Sequence, residues 1–282
     1  MLDTLPPVGN DSVAVQRHSA FSLLGLRFDA TDVIETAGRI AAPLPERTGS
    51  ARIYVTPNIQ HIAAMRGNEE LRRVMQLADL VTCDGFPLVS YARLSGCRTP
   101  GRITGREVVE QLLLRTGLGP DHTLFFLVDS SATAAAIVRW KDEGNIEARV
   151  VTEVAPQRFG EDLAICAAVA ERVRKAGTTI LFLGLGAPKS ELFASRYRTQ
   201  LGGCWALCIG QGIKIALGLV PTPPRLVVRL RLEWAWRVLQ EPRRLCGRYA
   251  SSFIGFGAAV LRDIVWPARR DVLPLPYSSG KS

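Results

Sequence analysis

Five short segments of this 282-residue chain carry residues whose types and spacing could do chemistry. They are Thr56-Pro57-Asn58, Cys83-Asp84-Gly85-Phe86, Arg102-Ile103-Thr104-Gly105, Gly184-Leu185-Gly186-Ala187-Pro188-Lys189-Ser190-Glu191 and Gly210-Gln211-Gly212. A carboxylate that follows a short strand and precedes a glycine can project into a cleft and act as a general base, which is one reading of Asp84. The same residue could simply cap the next helix, and the local sequence leaves both open. In the Gly184–Glu191 segment, glycines would let the backbone approach a phosphate while a helix start offers unpaired N–H groups. It matches neither GxGxxG nor a Walker loop, so a tight strand-to-helix turn with a solvated Lys189 stands beside that reading. Arg102 just before a helix suits a diphosphate, or is an ordinary surface arginine. His61 reads as structural, and Trp234 and Trp236 as packing residues.

These segments need elements to position them, and the hydropathy pattern supplies an alternation. Strands are predicted at Phe21–Leu26, Arg52–Val55, Leu80–Thr82, Thr123–Val128, Ala148–Thr152, Thr179–Leu183 and Cys204–Ile209. Helices are predicted over 31–42, 58–66, 69–78, 87–95, 105–116, 130–143, 161–176, 187–199 and 212–217. Such alternation predicts an α/β fold with a largely parallel sheet covered on both faces. In that architecture ligands bind beyond the carboxyl ends of the strands, where four of the five segments fall, the Arg102 segment lying just before a helix. Residues 1–20 read as a mobile leader, 21–220 as the core and 266–282 as a flexible tail.

The Pro221-Thr222-Pro223-Pro224 run marks a boundary. Beyond it, residues 221–265 read as an appendage of basic amphipathic helices, over 225–240 and again from Arg243. Val227, Leu230, Trp234 and Val238 form an apolar stripe that must pack on the core, on a second subunit in a homo-oligomer, or at a membrane surface. Seven of the nine net positive charges lie from Pro221 onward. A basic tail of this kind suits anionic lipid headgroups, nucleic acid or a phosphorylated substrate. Nucleic acid fits poorly, because the charge is confined to amphipathic helices and no strand face carries stacking aromatics.

No apolar run reaches the roughly 18–20 residues of a spanning helix, and no basic-then-apolar leader opens the chain. A cytoplasmic location follows as an expectation. The six cysteines form no CxxC pair and lie far from the three histidines, so reduced thiols are expected and a metal site is not.

Two longer strings are more specific. Gly184-Leu185-Gly186-Ala187-Pro188-Lys189-x-Glu191 and Leu232-Glu233-Trp234-x-x-Arg237-x-x-x-Glu241-Pro242-x-Arg244, with the isolated Asp-Gly and the Arg-x-Thr-Gly, make residues 21–250 resemble the WecG/TagA/CpsF glycosyltransferases. The resemblance implies a Rossmann-like core with a membrane-binding appendage that completes the site. It implies a nucleotide-sugar donor, UDP-linked, an undecaprenyl-diphosphate-linked monosaccharide as acceptor, and work at the inner membrane face. The chemistry it implies is inverting and uses no metal or other cofactor. Asp84 would be the base, with Thr56, Asn58, Arg102, Thr104, Gly105, Gly184, Gly186, Lys189, Ser190, Glu191, Gly210, Gln211, Arg229 and Arg237 binding substrates.

The chain departs from the family pattern at three places. Ser190 stands where glutamine is common, Ile213-Lys214 where Phe-Asp is common, and Thr222-Pro223-Pro224 where Arg-Ala-Pro is common. These changes leave the donor open between N-acetylmannosamine and a plain hexose such as glucose. The competing class is a catalytically silent partner that binds nucleotide sugar or lipid, and the presence of Asp84 argues against it.

Overall fold

A computed structural model describes residues 20–44, 49–97, 99–114, 116–144, 146–220, 224–229, 233–240 and 242–266. The chain opens with β1 (Ala20–Leu23) and β2 (Leu26–Asp29), then α1 (Val33–Ala41), β3 (Arg52–Val55), α2 (Ile59–Ala64), α3 (Glu69–Leu77), β4 (Leu80–Val81), α4 (Phe86–Leu94) and α5 (Gly105–Leu114). It continues through β5 (Thr123–Val128), α6 (Ser131–Glu143), β6 (Arg149–Val154), α7 (Leu163–Lys175), β7 (Ile180–Gly184), α8 (Lys189–Arg196), β8 (Trp205–Cys208) and α9 (Gly212–Ala216). It closes with α10 (Arg225–Arg229), α11 (Glu233–Gln240) and α12 (Pro242–Val265).

Six strands form one sheet in the order β4-β3-β8-β7-β5-β6, and every pairing is parallel. This is the α/β, Rossmann-like arrangement that the alternation predicted. The central strands are apolar throughout because helices cover both faces. α2, α3, α4, α7 and α8 bury their stripes on one face, and α1, α5, α6 and α9 on the other. Within the second layer Phe126 and Phe182 stack with centroids 4.4 Å apart, a contact worth about 1 kcal/mol beyond its buried area. Among the described residues, side-chain caps open six helices, at Asp32, Asn58, Asn68, Thr104, Ser130 and Asp162. Each satisfies N–H groups that the first turn leaves unpaired, for about 1 kcal/mol apiece.

One expectation is corrected. Phe21–Leu26 is not a single strand but the turn of the antiparallel hairpin β1–β2. Leu24 and Gly25 both take positive φ, 52° and 76°, as a two-residue primed turn requires. The usual Asn-Gly or Asp-Gly signal is absent, so the turn was hidden inside an apolar run. The hairpin serves the sheet edge, since Asp29 Oδ2 accepts the Val81 N–H at 2.9 Å.

The appendage returns to the core. The described parts of 225–240 are the two segments α10 and α11, and residues 230–232 lie outside the described set. Trp234 of α11 packs edge-on to Phe253 of α12 at 5.4 Å. α12 then crosses α2 closely enough that a Cβ on Gly255 would stand 2.6 Å from that of Ala63. Further along, the Tyr91 hydroxyl of α4 donates to the buried Asp263 carboxylate at 2.6 Å. No helix among the described residues is long and apolar enough to cross a membrane.

Candidate functional site

The chain leaves β3, β4 and β7 toward one face and β5 and β8 toward the other. The strand ends where these exits part are the usual ligand position in such sheets. All five candidate segments gather there or flank it.

Thr56, Pro57 and Asn58 follow β3, and Asp84 and Gly85 follow its neighbour β4. The two turns are joined directly. The Asp84 N–H donates to the Pro57 carbonyl at 3.0 Å. Gly85, with φ at +96°, is only 3.7 Å from Asn58 Cβ at the point where its own Cβ would be. A side chain there would be strained by the torsion alone, so glycine after Asp84 is what lets the turn form. Asp84 is half-buried and precedes α4. Gly85 is the residue at that helix's N-cap and has no side chain with which to cap it.

Arg102 reaches the same turn from the other side. Its guanidinium lies over the Phe86 ring, 4.6 Å from the centroid, and 3.9 Å from Glu107. The segment is pinned by the Ile103 N–H donating to the Cys83 carbonyl at 2.9 Å. Thr104 is occupied locally. Its N–H and hydroxyl both donate to Glu107 Oε2 at 2.8 Å, and the Glu107 N–H donates back to Thr104 Oγ1 at 3.1 Å. That reciprocal pair is a capping box at the start of α5. Gly105 is needed for contact, since a Cβ there would meet Ile209 at 3.1 Å.

The glycine loops after β7 and β8 touch one another. A Cβ on Gly210 would be 3.7 Å from Gly186 Cα, and both glycines hold positive φ. Gly184 admits Ile213 of α9, whose Cδ1 would be 3.2 Å from a Cβ. Gln211 is exposed at the rim. In the PKxE string the side chains part company. Lys189 is exposed and its stem runs along Gly160, 3.5 Å from a Cβ there. Ser190 is fully buried, and its hydroxyl donates to the Leu183 carbonyl at 3.3 Å. Glu191 is 3% exposed, with Oε1 3.4 Å from His61 Nε2. Arg229 is exposed on α10, while the side chain of Arg237 lies outside the described set.

Burial and charge bias the titratable groups at the strand ends. Removal from water pushes the Tyr54 phenol and the Cys83 thiol well up, and the nearby Asp84 charge adds to both shifts. Burial raises the Cys208 thiol, with Glu191 contributing. Among the described residues no group of three His, Cys, Asp or Glu side chains is placed to hold a metal ion.

Sequence reasoning did not single out one charged residue at these strand ends. Asp129 directly follows β5 and is ion-paired to Lys214 at 2.7 Å. An acid at the end of an apolar strand is the same local signal that singled out Asp84.

A curated relative from Bacillus spizizenii, named N-acetylglucosaminyldiphosphoundecaprenol N-acetyl-beta-D-mannosaminyltransferase, is 26% identical over 204 residues, covering 71% of this chain and 75% of its own. Residues 21–270 match the Glycosyl transferase WecG/TagA/CpsF family. With a match over that span, the chain belongs to this family of glycosyltransferases.

Proposed function

We propose that the protein moves a sugar from a UDP-sugar to a monosaccharide carried on undecaprenyl diphosphate, with inversion and without a metal. The observation that carries this reading is the Asp84–Gly85 turn bonded to the Pro57–Asn58 segment, with Arg102 stacked beside it. Asp84 takes the proton from the acceptor hydroxyl as that oxygen attacks the anomeric carbon. The bond from that carbon to the donor phosphate breaks, and its electron pair leaves on the nucleoside diphosphate. Attack from the face opposite the leaving group inverts the centre. Arg102 and the backbone N–H groups of the two glycine loops are the groups available to neutralise the leaving diphosphate.

The relative's name supports N-acetylglucosamine as the first acceptor sugar to try. The donor sugar is left between N-acetylmannosamine and a plain hexose, because Lys214, where the family commonly has an acid, changes the charge on the donor side. Asp84, Arg102, Asn58 and the glycine loops do the substrate work, and Arg229 and Arg237 extend it over the diphosphates. The enzyme sits on the inner membrane face through α12. Ile254, Leu261, Val265 and Trp266 there are 75%, 65%, 59% and 74% exposed and recur at helical spacing. Arg243, Arg248 and Arg262 are exposed on the same helix. Each basic residue near an anionic surface adds about 1 kcal/mol.

The test is a panel of UDP-sugars with a short-chain lipid-diphosphate-N-acetylglucosamine acceptor, read by product mass and by the anomeric configuration of the product. A disaccharide of inverted configuration is expected, with turnover unchanged by chelator. Asp84→Asn should lower turnover by about a hundredfold or more while donor binding persists. Full turnover in that variant overturns the base assignment, and a requirement for added magnesium or manganese overturns the metal-free chemistry.

A further inference from the structure

We propose that His61 and Glu191 are a buried positioning couple, which holds the Asn58 carboxamide and the Asp84–Gly85 turn in their working geometry. This rests on the reading of Asn58 and Asp84 as substrate-side groups. Glu191 is in the first turn of α8, where an acid ordinarily faces solvent and favours the helix dipole. Here it is buried, which is costly for a carboxylate unless another group compensates it. The compensating group is His61, whose Nε2 is 3.4 Å from Glu191 Oε1. The second oxygen, Oε2, is buried and has no hydrogen-bond partner among the described residues, so the ring is this carboxylate's polar support.

The other ring nitrogen serves Asn58. His61 Nδ1 is 3.2 Å from the Asn58 backbone N–H and 3.0 Å from Asn58 Oδ1. Without a proton it accepts the backbone N–H; with one it donates to the carboxamide oxygen. In the state where Nδ1 is bare, the neutral ring carries its proton on Nε2, the nitrogen nearest Glu191. Asn58 Oδ1 also accepts the backbone N–H of Gln60 at 2.9 Å. With its oxygen thus engaged, Asn58 can offer a substrate only its amide donors.

A helix cap alone needs Asn58 and one reciprocal side chain from the same turn. It does not need a buried carboxylate from a helix more than a hundred residues later. That extra group joins the segment after β3 to the segment after β7 across β8, the strand between them. Because Pro57 accepts from the Asp84 N–H, the couple also steadies the turn that carries the base. Glu191 is therefore a positioning residue and makes no contact with the transferred sugar.

The test compares His61→Ala, Glu191→Ala, the double variant and Glu191→Gln, with turnover, both KM values and melting temperature measured for each. Each alanine variant should lose turnover by roughly tenfold or more with KM little changed, and the double variant should be no worse than the poorer single, as expected of residues acting as one unit. Glu191→Gln, which still accepts from Nε2–H, should retain more turnover than Glu191→Ala. Additive losses, or full turnover in a folded His61→Ala, overturn the proposal. The ring can also be read in the unaltered enzyme by nitrogen NMR. Nε2 should carry a proton, and a bare Nε2 overturns the couple even if the variants fail to fold. Asp84→Asn measured alongside separates the two ideas, since normal turnover there removes the base assignment and leaves the His61 readings intact.

Discussion

Lys214 Nζ lies 2.7 Å from Asp129 Oδ2, tying α9 to the end of β5 where β5 and β7 send the chain to opposite faces. A lone carboxylate at that crevice would repel a diphosphate, and Lys214 cancels it. Lys214→Met should therefore raise the donor KM by roughly three- to tenfold, more at low salt, with little effect on folding. Asp129→Asn combined with Lys214→Met should recover most of the loss. An unchanged donor KM in Lys214→Met would reduce the pair to an exposed ion pair of small effect.

Asn58 has two separable jobs, one for its oxygen and one for its amide. Asn58→Asp keeps the cap oxygen, so its melting temperature should stay close to that of the parent. It lacks the amide donor and brings a charge toward the diphosphate, so turnover should fall on the order of tenfold or more. Asn58→Ala should lose both, with about 1 kcal/mol of stability gone as well. Equal turnover in parent and Asn58→Asp would show that the residue only caps α2.

The seat of α12 on α2 depends on Gly255. Gly255→Val must push α12 away from Ala63, and should cost about 1–3 kcal/mol in denaturant unfolding. Gly257 has open space around a built Cβ, so Gly257→Ala should be neutral or stabilise by up to about 1 kcal/mol. If the two variants unfold alike, the close crossing is not what holds the helix.

Alkaline pH should destabilise the fold. Burial raises the Cys204 thiol from 9.0 to about 12, and pushes the Cys83, Cys208 and Tyr54 groups up as well. Such groups stay protonated in the folded chain while the unfolded chain ionises. The thiols' contribution is fully present below about pH 9 and the Tyr54 contribution below about pH 10, and each is lost above that point, by up to about 1.4 kcal/mol per group per pH unit. Denaturant midpoints should hold up to about pH 9 and fall progressively above it. In the native protein the exposed Cys246 should alkylate first. Rapid labelling of Cys83 or Cys208 would contradict the burial.

Much of the architecture was legible in the residues alone. Alternating apolar runs and capped helical stretches are local properties, set by near neighbours, so the parallel α/β sheet and its strand-end site could be read from β3 to β8. The placement of Asp84 and the glycine loops after strands, and of Arg102 just before a helix, was legible because each is a local property. The direction of a side chain at a strand-to-helix turn is not. Ser190 and Glu191 sit in the same short string as Lys189, yet they point into the protein and Lys189 points out, a difference set by the turn's torsions and by what packs over it. The Leu24-Gly25 turn was hidden for a similar reason, since hairpin pairing forced positive φ on a leucine. His61 with Glu191, Lys214 with Asp129, and α12 on α2 join residues 130, 85 and 192 positions apart, as with Gly255 and Ala63. Only folding brings such pairs within contact, because no local pattern along the chain records which distant group will satisfy a buried charge.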